Sequence, residues 1–492
     1  MDPSPPPTFE PTEQLQFIDG ERCAGSGAAR DDVSPASSSV LVSFRDAGPR
    51  DVDRAVGAAR RAQPAWAALA PTDRGRVLRR AADLLRSRND ELARWEVLDT
   101  GKPIREAVVT DVHSGADCLE YYGGLVAGLA GEHHQLGSLM AYTRREPLGV
   151  VGAIGAWNYP LQIACWKAAP ALAAGNAMVF KPSEQTPLSA VAFAEVLLEA
   201  GLPPGVFSVV QGDGFVGEAL SSHVGVDKMT VTGSVPTGRA VMRAAAAGPV
   251  PVTLELGGKS PLLVFADAEM DRAVDAAVLA NFATQGEVCS NGTRVFVESS
   301  VHDEFVERFV AAAEALVVGD PLDPATQVGS LISDEHLTKV LTAVVRAQEQ
   351  GARLRTGGTR RADGPLSKGR FVAPAVVDQV ADDSELACQE VFGPVAAVFS
   401  FDSEEEAVRR ANATPYGLGA GLMTTDLDRA HRVAARLDAG VVWINTYNVT
   451  PVELPFGGVK ASGLGRENGW AGIEAMTRVK TVMVESGPLE GL

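Results

Sequence analysis

One cysteine stands where a thiol could do covalent work. Cys289 lies in Asn281-Phe282-Ala283-Thr284-Gln285-Gly286-Glu287-Val288-Cys289-Ser290-Asn291-Gly292-Thr293-Arg294. The stretch reads as the end of a helix, a polar turn, and then the strand Val295-Phe296-Val297. A thiol on a Gly-flanked turn can be reached by a substrate, and the backbone N–H groups of the turn can face the oxygen of a bound carbonyl. The competing reading is a small buried hydrophobe, which is what most free cysteines are. Two other groups suit the same chemistry. In Leu254-Glu255-Leu256-Gly257-Gly258 a carboxylate sits at the end of an apolar strand. Burial raises a carboxylate's pKa, which suits a general base, although local N–H groups could simply satisfy it. Asn158, in Ala156-Trp157-Asn158-Tyr159-Pro160, is either an oxyanion donor or a turn former.

Glycine-rich turns come next. Gly212-Asp213-Gly214-Phe215-Val216-Gly217 fits GxGxxG and follows a strand. The acidic residue that this fingerprint requires about 20 positions on is missing, because the next strand ends in Thr232-Gly233. Gly233 and Gly238, in Thr232-Gly233-Ser234-Val235-Pro236-Thr237-Gly238, sit between strand and helix and suit a pyrophosphate equally well. An ordinary tight turn would look the same in either place. Gly257-Gly258-Lys259-Ser260 is not a P-loop, since Thr253 stands where its first glycine belongs. Asn291-Gly292-Thr293 fits a glycosylation sequon but reads as chance, as no secretory signal is evident.

These residues need elements to hold them. Helices are expected over about 51–69 and 72–98, with Thr72 as N-cap of the second, and a further helical pattern runs through about 103–130. Leu139 to Leu148 reads as an arm or edge strand. From 150, apolar strands alternate with helices: Val150–Ala156, Ala177–Phe180, Phe207–Val210, Met229–Thr232 and Val252–Leu256. Such strands form a parallel sheet covered on both faces, which binds ligands at its carboxyl ends. A second series of strands lies at 261–265, 294–297, 371–377, 395–401, 419–423 and 441–445, and the chain closes with a helix near 469–478 and a strand over 479–484.

The chain has 492 residues, too many for one core. Its net charge of −18 argues against nucleic acid and anionic membranes as partners. The five cysteines are scattered without a CxxC, which argues against structural zinc and against a disulfide framework. They favour a reducing compartment, and a cytoplasmic location is expected. Met-Asp-Pro-Ser-Pro-Pro-Pro at the start has neither a basic nor an apolar run and reads as a disordered tail. Leu148 to Trp166 is uncharged, yet its three glycines, Asn158 and Pro160 break it into strand, turn and helix, so it is no membrane span.

Taken together, Trp157-Asn158-Tyr159-Pro160, Lys181-Pro182-Ser183-Glu184, Gly233-Ser234, Glu255-Leu256-Gly257-Gly258-Lys259, Gly286-Glu287-Val288-Cys289, Glu390-Val391-Phe392-Gly393-Pro394 and Pro455-Phe456-Gly457-Gly458 resemble the NAD(P)-dependent aldehyde dehydrogenase superfamily. They come in the family's order and span about 20–485. Val452-Glu453-Leu454-Pro455-Phe456 and Gly465-Arg466-Glu467-Asn468-Gly469 are most similar to its aminoaldehyde and betaine-aldehyde branch.

The resemblance implies an α/β fold. A Rossmann-type NAD domain would comprise 1–124 and 148–257, an α/β catalytic domain 258–468, and a β-arm 125–147 with 469–492 joining subunits into a homo-oligomer. It implies Cys289 as nucleophile, Asn158 as oxyanion donor, Glu255 as base and Glu467 as a second acid near the water path. For Glu467 an exposed ion pair with Arg466 is the alternative. NAD would be held by Ile154, Ala156, Trp157, Lys181, Ser183, Glu184, Gly214, Gly233, Ser234, Gly238, Leu256, Glu390 and Phe392, with the Glu184 carboxylate disfavouring NADP. No metal is implied. A small aldehyde would pass Tyr159, Trp166 and Phe456, whose aromatic faces attract quaternary ammonium. Candidates are 4-trimethylaminobutyraldehyde, 4-aminobutyraldehyde and betaine aldehyde. One departure matters: Ala283 stands where some betaine-aldehyde enzymes carry tryptophan, which implies a wider cage. Alternatives are a general aliphatic aldehyde dehydrogenase, a CoA-acylating enzyme, or a non-catalytic protein of the same fold.

Overall fold

Short, fully buried strands alternating with helices can satisfy both faces only in a covered parallel sheet, and the computed structural model, which describes residues 9–485, contains two. The proline-rich start and residues 486–492 lie outside the described residues.

The first sheet runs Glu21–Cys23, Gln16–Ile18, Phe207–Val209, Ala177–Lys181, Val150–Ile154, Lys228–Gly233, Val252–Leu256 and Gly463–Leu464. Its five middle strands are parallel, and the outer ones are antiparallel. The chain builds outward from Val150–Ile154 on one side and then returns to add Lys228–Gly233 on the other. That makes a topological switch point, where a crevice opens beyond the carboxyl ends.

The second sheet runs Arg353–Thr356, Ala375–Asp378, Val395–Phe401, Arg294–Glu298, Pro261–Val264, Gly419–Met423 and Val441–Ile444, all parallel except the first pair. The chain passes from the carboxyl end of the first sheet at Leu256 to the amino end of the second at Pro261 within residues 257–260. Pro261 pairs in register with Arg294, and Arg294 with Ala397. The turns preceding those strands, which carry Cys289 and Glu390, therefore stand at the amino edge of the second sheet and face the carboxyl edge of the first. Thr477–Glu485 pairs antiparallel with all nine residues of Leu139–Pro147, flanked by His133–Leu136, and forms the arm.

Several elements differ from the sequence reading. The helix expected over 72–98 is two, Pro71–Ser87 and Asn89–Thr100, because Arg88 leaves helical backbone (φ −109°, ψ 16°). Pro71 is its first residue, where a missing N–H costs nothing, so the cap is Ala70 and not Thr72. The pattern over 103–130 resolves into Ile104–Ala107 and Asp111–Leu125. Pro374 interrupts 371–377, and Phe371–Val372 pairs with Arg360–Arg361 instead. The short strands between Gln16 and Arg45 carry no long apolar alternation to announce them. Gly463–Leu464 joins the first sheet although its neighbours in sequence follow the second. Among the described residues no helix is long and apolar enough to cross a membrane.

Candidate active site

A cavity of about 920 Å³ opens at the switch point, within the range of roughly 300–1,000 Å³ usual for small-molecule sites. Ile154, Ala156, Trp157, Asn158, Lys181, Ser183, Glu184, Gly214, Gly233, Ser234, Glu255, Leu256, Cys289, Glu390 and Phe392, all singled out from sequence, line it. The glycine turns at 212–217 and at 233–238 flank the same space, so neither excludes the other. Asp213 caps the helix Gly214–Ser221 by accepting from the Phe215 N–H at 3.0 Å, and Ser234 caps Val235–Ala246 by accepting from the Thr237 N–H at 3.3 Å. Two helix N-termini thus point into one cleft, a favourable setting for phosphate. A Cβ added at Gly214 would meet nothing within 4 Å, and one at Gly233 nothing closer than 3.8 Å. Lys181 Nζ and Glu184 lie 3.7 Å apart at the far end, as a donor and an acceptor for a vicinal diol. This donor set fits a dinucleotide.

Gly238 is a correction. It stands back from the cavity, and a Cβ there would come within 2.7 Å of the Leu256 side chain. Its bareness lets the helix lie close on the strand.

At the near end, Cys289 is half-buried, and Gly258 packs against it so tightly that a Cβ would lie 2.6 Å from the Cys289 carbonyl oxygen. Burial, aided by the Glu390 and Glu255 carboxylates, pushes the thiol up to about 12, while the backbone N–H groups of Cys289 and Ser290 act the other way. Those N–H groups face a charge on sulfur or on an atom bonded to it. Asn158 Nδ2 donates to the Glu287 carbonyl at 2.9 Å, two residues before the cysteine, and keeps a second N–H. Glu255 is buried, and neither carboxylate oxygen has a hydrogen-bond partner among the described residues. Burial first, then Glu467, holds its pKa well above the carboxylate range. An orphaned buried carboxylate beside a thiol marks a functional group rather than a structural one. Gly457 (φ +151°) lies so near that a Cβ would meet Glu255 Oε1 at 2.4 Å. Glu390 Oε1 accepts the Gly258 N–H at 2.8 Å.

Glu467 is buried and pairs with Lys167 Nζ at 2.5 Å and Thr230 Oγ1 at 3.2 Å. The exposed pair with Arg466 is therefore absent: that guanidinium donates to the Gly458 and Gly465 carbonyls. Glu467, Tyr159, Trp166 and Phe456 do not line the large cavity. Phe456 and Glu467 exchange backbone hydrogen bonds of 2.8 Å, and Phe456 meets the Trp166 ring edge-on at 5.7 Å. Trp166 Nε1 donates to Ser114 Oγ at 3.0 Å. Lys102 Nζ, buried and paired with Asp111, lies 3.9 Å from the centre of the Tyr159 ring, so one face of that ring already carries a cation.

The turn before the cysteine is strained. Thr284, Gln285 and Gly286 all have positive φ, at 50°, 45° and 78°. Left-handed backbone costs side-chain-bearing residues about 1–2 kcal/mol each, and strain of this kind gathers at functional sites. Gly286 has no alternative, since a Cβ would sit 2.2 Å from the Gly393 carbonyl carbon.

Sequence reasoning missed His336 and Lys339, on the helix Asp334–Glu349, which also line the cavity. His336 contacts the Trp157 and Phe392 rings, and its Nε2 lies 2.6 Å from the Phe392 carbonyl. Burial drives its pKa down to about 4, so the ring is neutral and can donate there. Two polar residues on an amphipathic helix give no signal of this.

Residues 24–482 match the aldehyde dehydrogenase family. The chain is 54% identical over 475 residues to a betaine aldehyde dehydrogenase of Cereibacter sphaeroides, covering 96% of this chain and 98% of that one. It is 53% identical over 476 residues to betaine aldehyde dehydrogenase 1 of Rhizobium meliloti, with 96% and 98% covered. A crystal structure of a putative aldehyde dehydrogenase from Burkholderia cenocepacia superposes with a TM-score of 0.96 at 43% identity, over 97% of this chain and 99% of that one. A betaine aldehyde dehydrogenase from Staphylococcus aureus, solved with NAD+, gives 0.94 at 36%, over 97% and 95%.

Proposed function

Because the chain belongs to the aldehyde dehydrogenase family and is an NAD-dependent oxidoreductase, we propose that it oxidises an aldehyde bearing an amino or trimethylammonium group to the carboxylic acid through a thioester on Cys289. Betaine aldehyde, 4-aminobutyraldehyde and 4-trimethylaminobutyraldehyde are the substrates in view. One observation carries the reading: a single cavity holds a thiol, a free amide N–H and an orphaned buried carboxylate at one end and a diol-binding pair at the other.

Cys289 Sγ, as the thiolate left when its proton passes to water, bonds to the aldehyde carbon and makes it tetrahedral as the C=O π pair moves onto the oxygen. The oxygen that becomes negative is held by Asn158 Nδ2 and the Cys289 N–H. NAD, when bound, supplies the acceptor for the hydride on that carbon. Lys181 and Glu184 take the diol at the adenosine end, the N-termini at 214 and 234 face the phosphates, and Glu390, Phe392, Trp157 and His336 frame the other end. Glu255 removes a proton from water, which attacks the thioester and releases the acid and the thiol. Asn158→Ala should lower kcat by about 10²–10³, the usual cost of one oxyanion donor, with KM for NAD little changed; steady-state kinetics checks this. CoA acylation is disfavoured because Glu255 would hydrolyse the thioester first.

The names of the two relatives support a cationic aldehyde. Since Lys102 occupies one face of Tyr159, we assign the ammonium head to Trp166 and Phe456. A cation–π contact is worth roughly 0.5–2 kcal/mol, so Phe456→Ala should raise KM for 4-trimethylaminobutyraldehyde by about 2- to 30-fold and leave hexanal nearly untouched. In the wild type, a higher kcat/KM for hexanal than for the cationic aldehydes would end the cation reading. We assign the arm, with Val479 and Met483 exposed, to contacts between subunits of a homo-oligomer. The five free thiols suit a reducing cytoplasm.

A further inference from the structure

The left-handed turn Thr284–Gly286 needs something to hold it, and that group comes from far away in the chain. Glu106 stands on the short helix Ile104–Ala107, which is tied down by the Ile104 N–H donating to the Pro321 carbonyl at 2.8 Å. One carboxylate oxygen, Glu106 Oε2, accepts both the Thr284 N–H at 2.8 Å and the Thr284 hydroxyl at 2.9 Å. With the hydroxyl proton committed to Glu106, the 2.8 Å contact between Thr284 Oγ1 and Tyr159 must be donated by the phenol. A directed chain therefore runs from Tyr159 through Thr284 to Glu106.

The residues after the turn lean on it. The Glu287 N–H donates back to the Thr284 carbonyl at 2.9 Å, and the Glu287 carboxylate accepts from the Ile332 N–H at 3.1 Å and Gln285 Nε2 at 2.7 Å. The Glu287 carbonyl, fixed this way, accepts from Asn158 and aims its amide. Cys289 is two residues further on. A carboxylate suits this place: one oxygen carries two lone pairs and can accept a backbone and a hydroxyl donor together, and strain persists only where its surroundings over-determine it.

We propose that Glu106 is a positioning residue: by clamping Thr284 in its left-handed conformation it sets the place of Cys289 and the aim of Asn158, and it ties both to Tyr159. Glu106 touches no reacting atom. The inference rests on the reading of Cys289 as nucleophile, and the test separates the two.

Glu106→Ala should lower kcat by about 10- to 100-fold, the scale of an ångström's misplacement of a reacting group, with KM for NAD unchanged. The rate of Cys289 alkylation by iodoacetamide should change in parallel. Glu106→Gln keeps an acceptor oxygen and should restore most of both. If Glu106→Ala does not fold, Thr284→Val reads the same clamp, removing the hydroxyl link while keeping the side-chain shape, with Thr284→Ser as its rescue. Wild-type kcat and alkylation in Glu106→Ala, or in Thr284→Val where that variant stands in, overturn the clamp if Cys289→Ala is inactive. An active Cys289→Ala overturns the nucleophile reading instead. A kcat loss in Glu106→Ala that Glu106→Gln does not repair also counts against the clamp.

Discussion

Replacing Cys289 by alanine will stop NADH production from aldehydes, with kcat falling by roughly 10⁴-fold or more, since a covalent nucleophile leaves only binding and oxyanion stabilisation behind when it is lost. Dinucleotide binding by calorimetry should survive, because Lys181, Glu184 and the two helix N-termini are far from the substitution. The wild-type thiol also makes a pH prediction. It is pushed up to about 12 by burial and by Glu390 and Glu255, so at pH 7 only about one molecule in 10⁵ carries the thiolate that reacts. Without cofactor, alkylation by iodoacetamide should therefore climb about tenfold per pH unit between 7 and 10. A flat profile over that range would mean that the sulfur is already ionised. A resting thiol of this kind is also shielded from oxidation, which follows thiolate character.

The second large effect is expected at Glu255. Glu255→Gln preserves shape but cannot accept a proton. Acylation of Cys289 should go through and deacylation should stall, giving a burst of NADH equal to the active sites, then turnover slower by about 10²–10⁴. The sign of the pH dependence is set by the direction of the shift. Burial and Glu467 raise the Glu255 pKa well above its ordinary range, so the base is protonated, and deacylation slow, below that raised value. Deacylation rises as pH increases through it. The glutamine variant should lose that limb. Equal steady-state rates in variant and wild type would remove Glu255 from the hydrolytic step.

How much of the site is legible in the sequence differs by residue. Cys289, Glu255 and Asn158 stand in short local motifs at strand ends, and the fold brings all three to one cavity. Lys181 and Glu184 are legible for the same reason, since three residues fix their relation. Glu106 is not, because its meaning depends on a partner 178 positions away, and neither end carries periodicity or a motif. His336 and Lys339 are hidden in a helix whose hydrophobic pattern reports only its buried side. The burial of Glu467 is hidden too, because its partner, Lys167, lies 300 positions earlier on the helix Pro160–Ala174. Boundaries fail where a single residue decides them: Arg88 divides a helix that its apolar spacing makes look continuous, and Pro374 divides a strand.

The four residues between Leu256 and Pro261 have a consequence for protein engineering. They leave one sheet and enter the other without slack, and Gly258 in their middle presses on the Cys289 carbonyl while its N–H holds Glu390. A chimera that takes its first half from one relative and its second half from another, cut at this joint, would inherit a base and a sulfur shaped by different ancestors across a gap too narrow to accommodate the mismatch. Recombination between relatives should succeed with crossovers in exposed surface turns and fail here, so the two halves can diverge only in step.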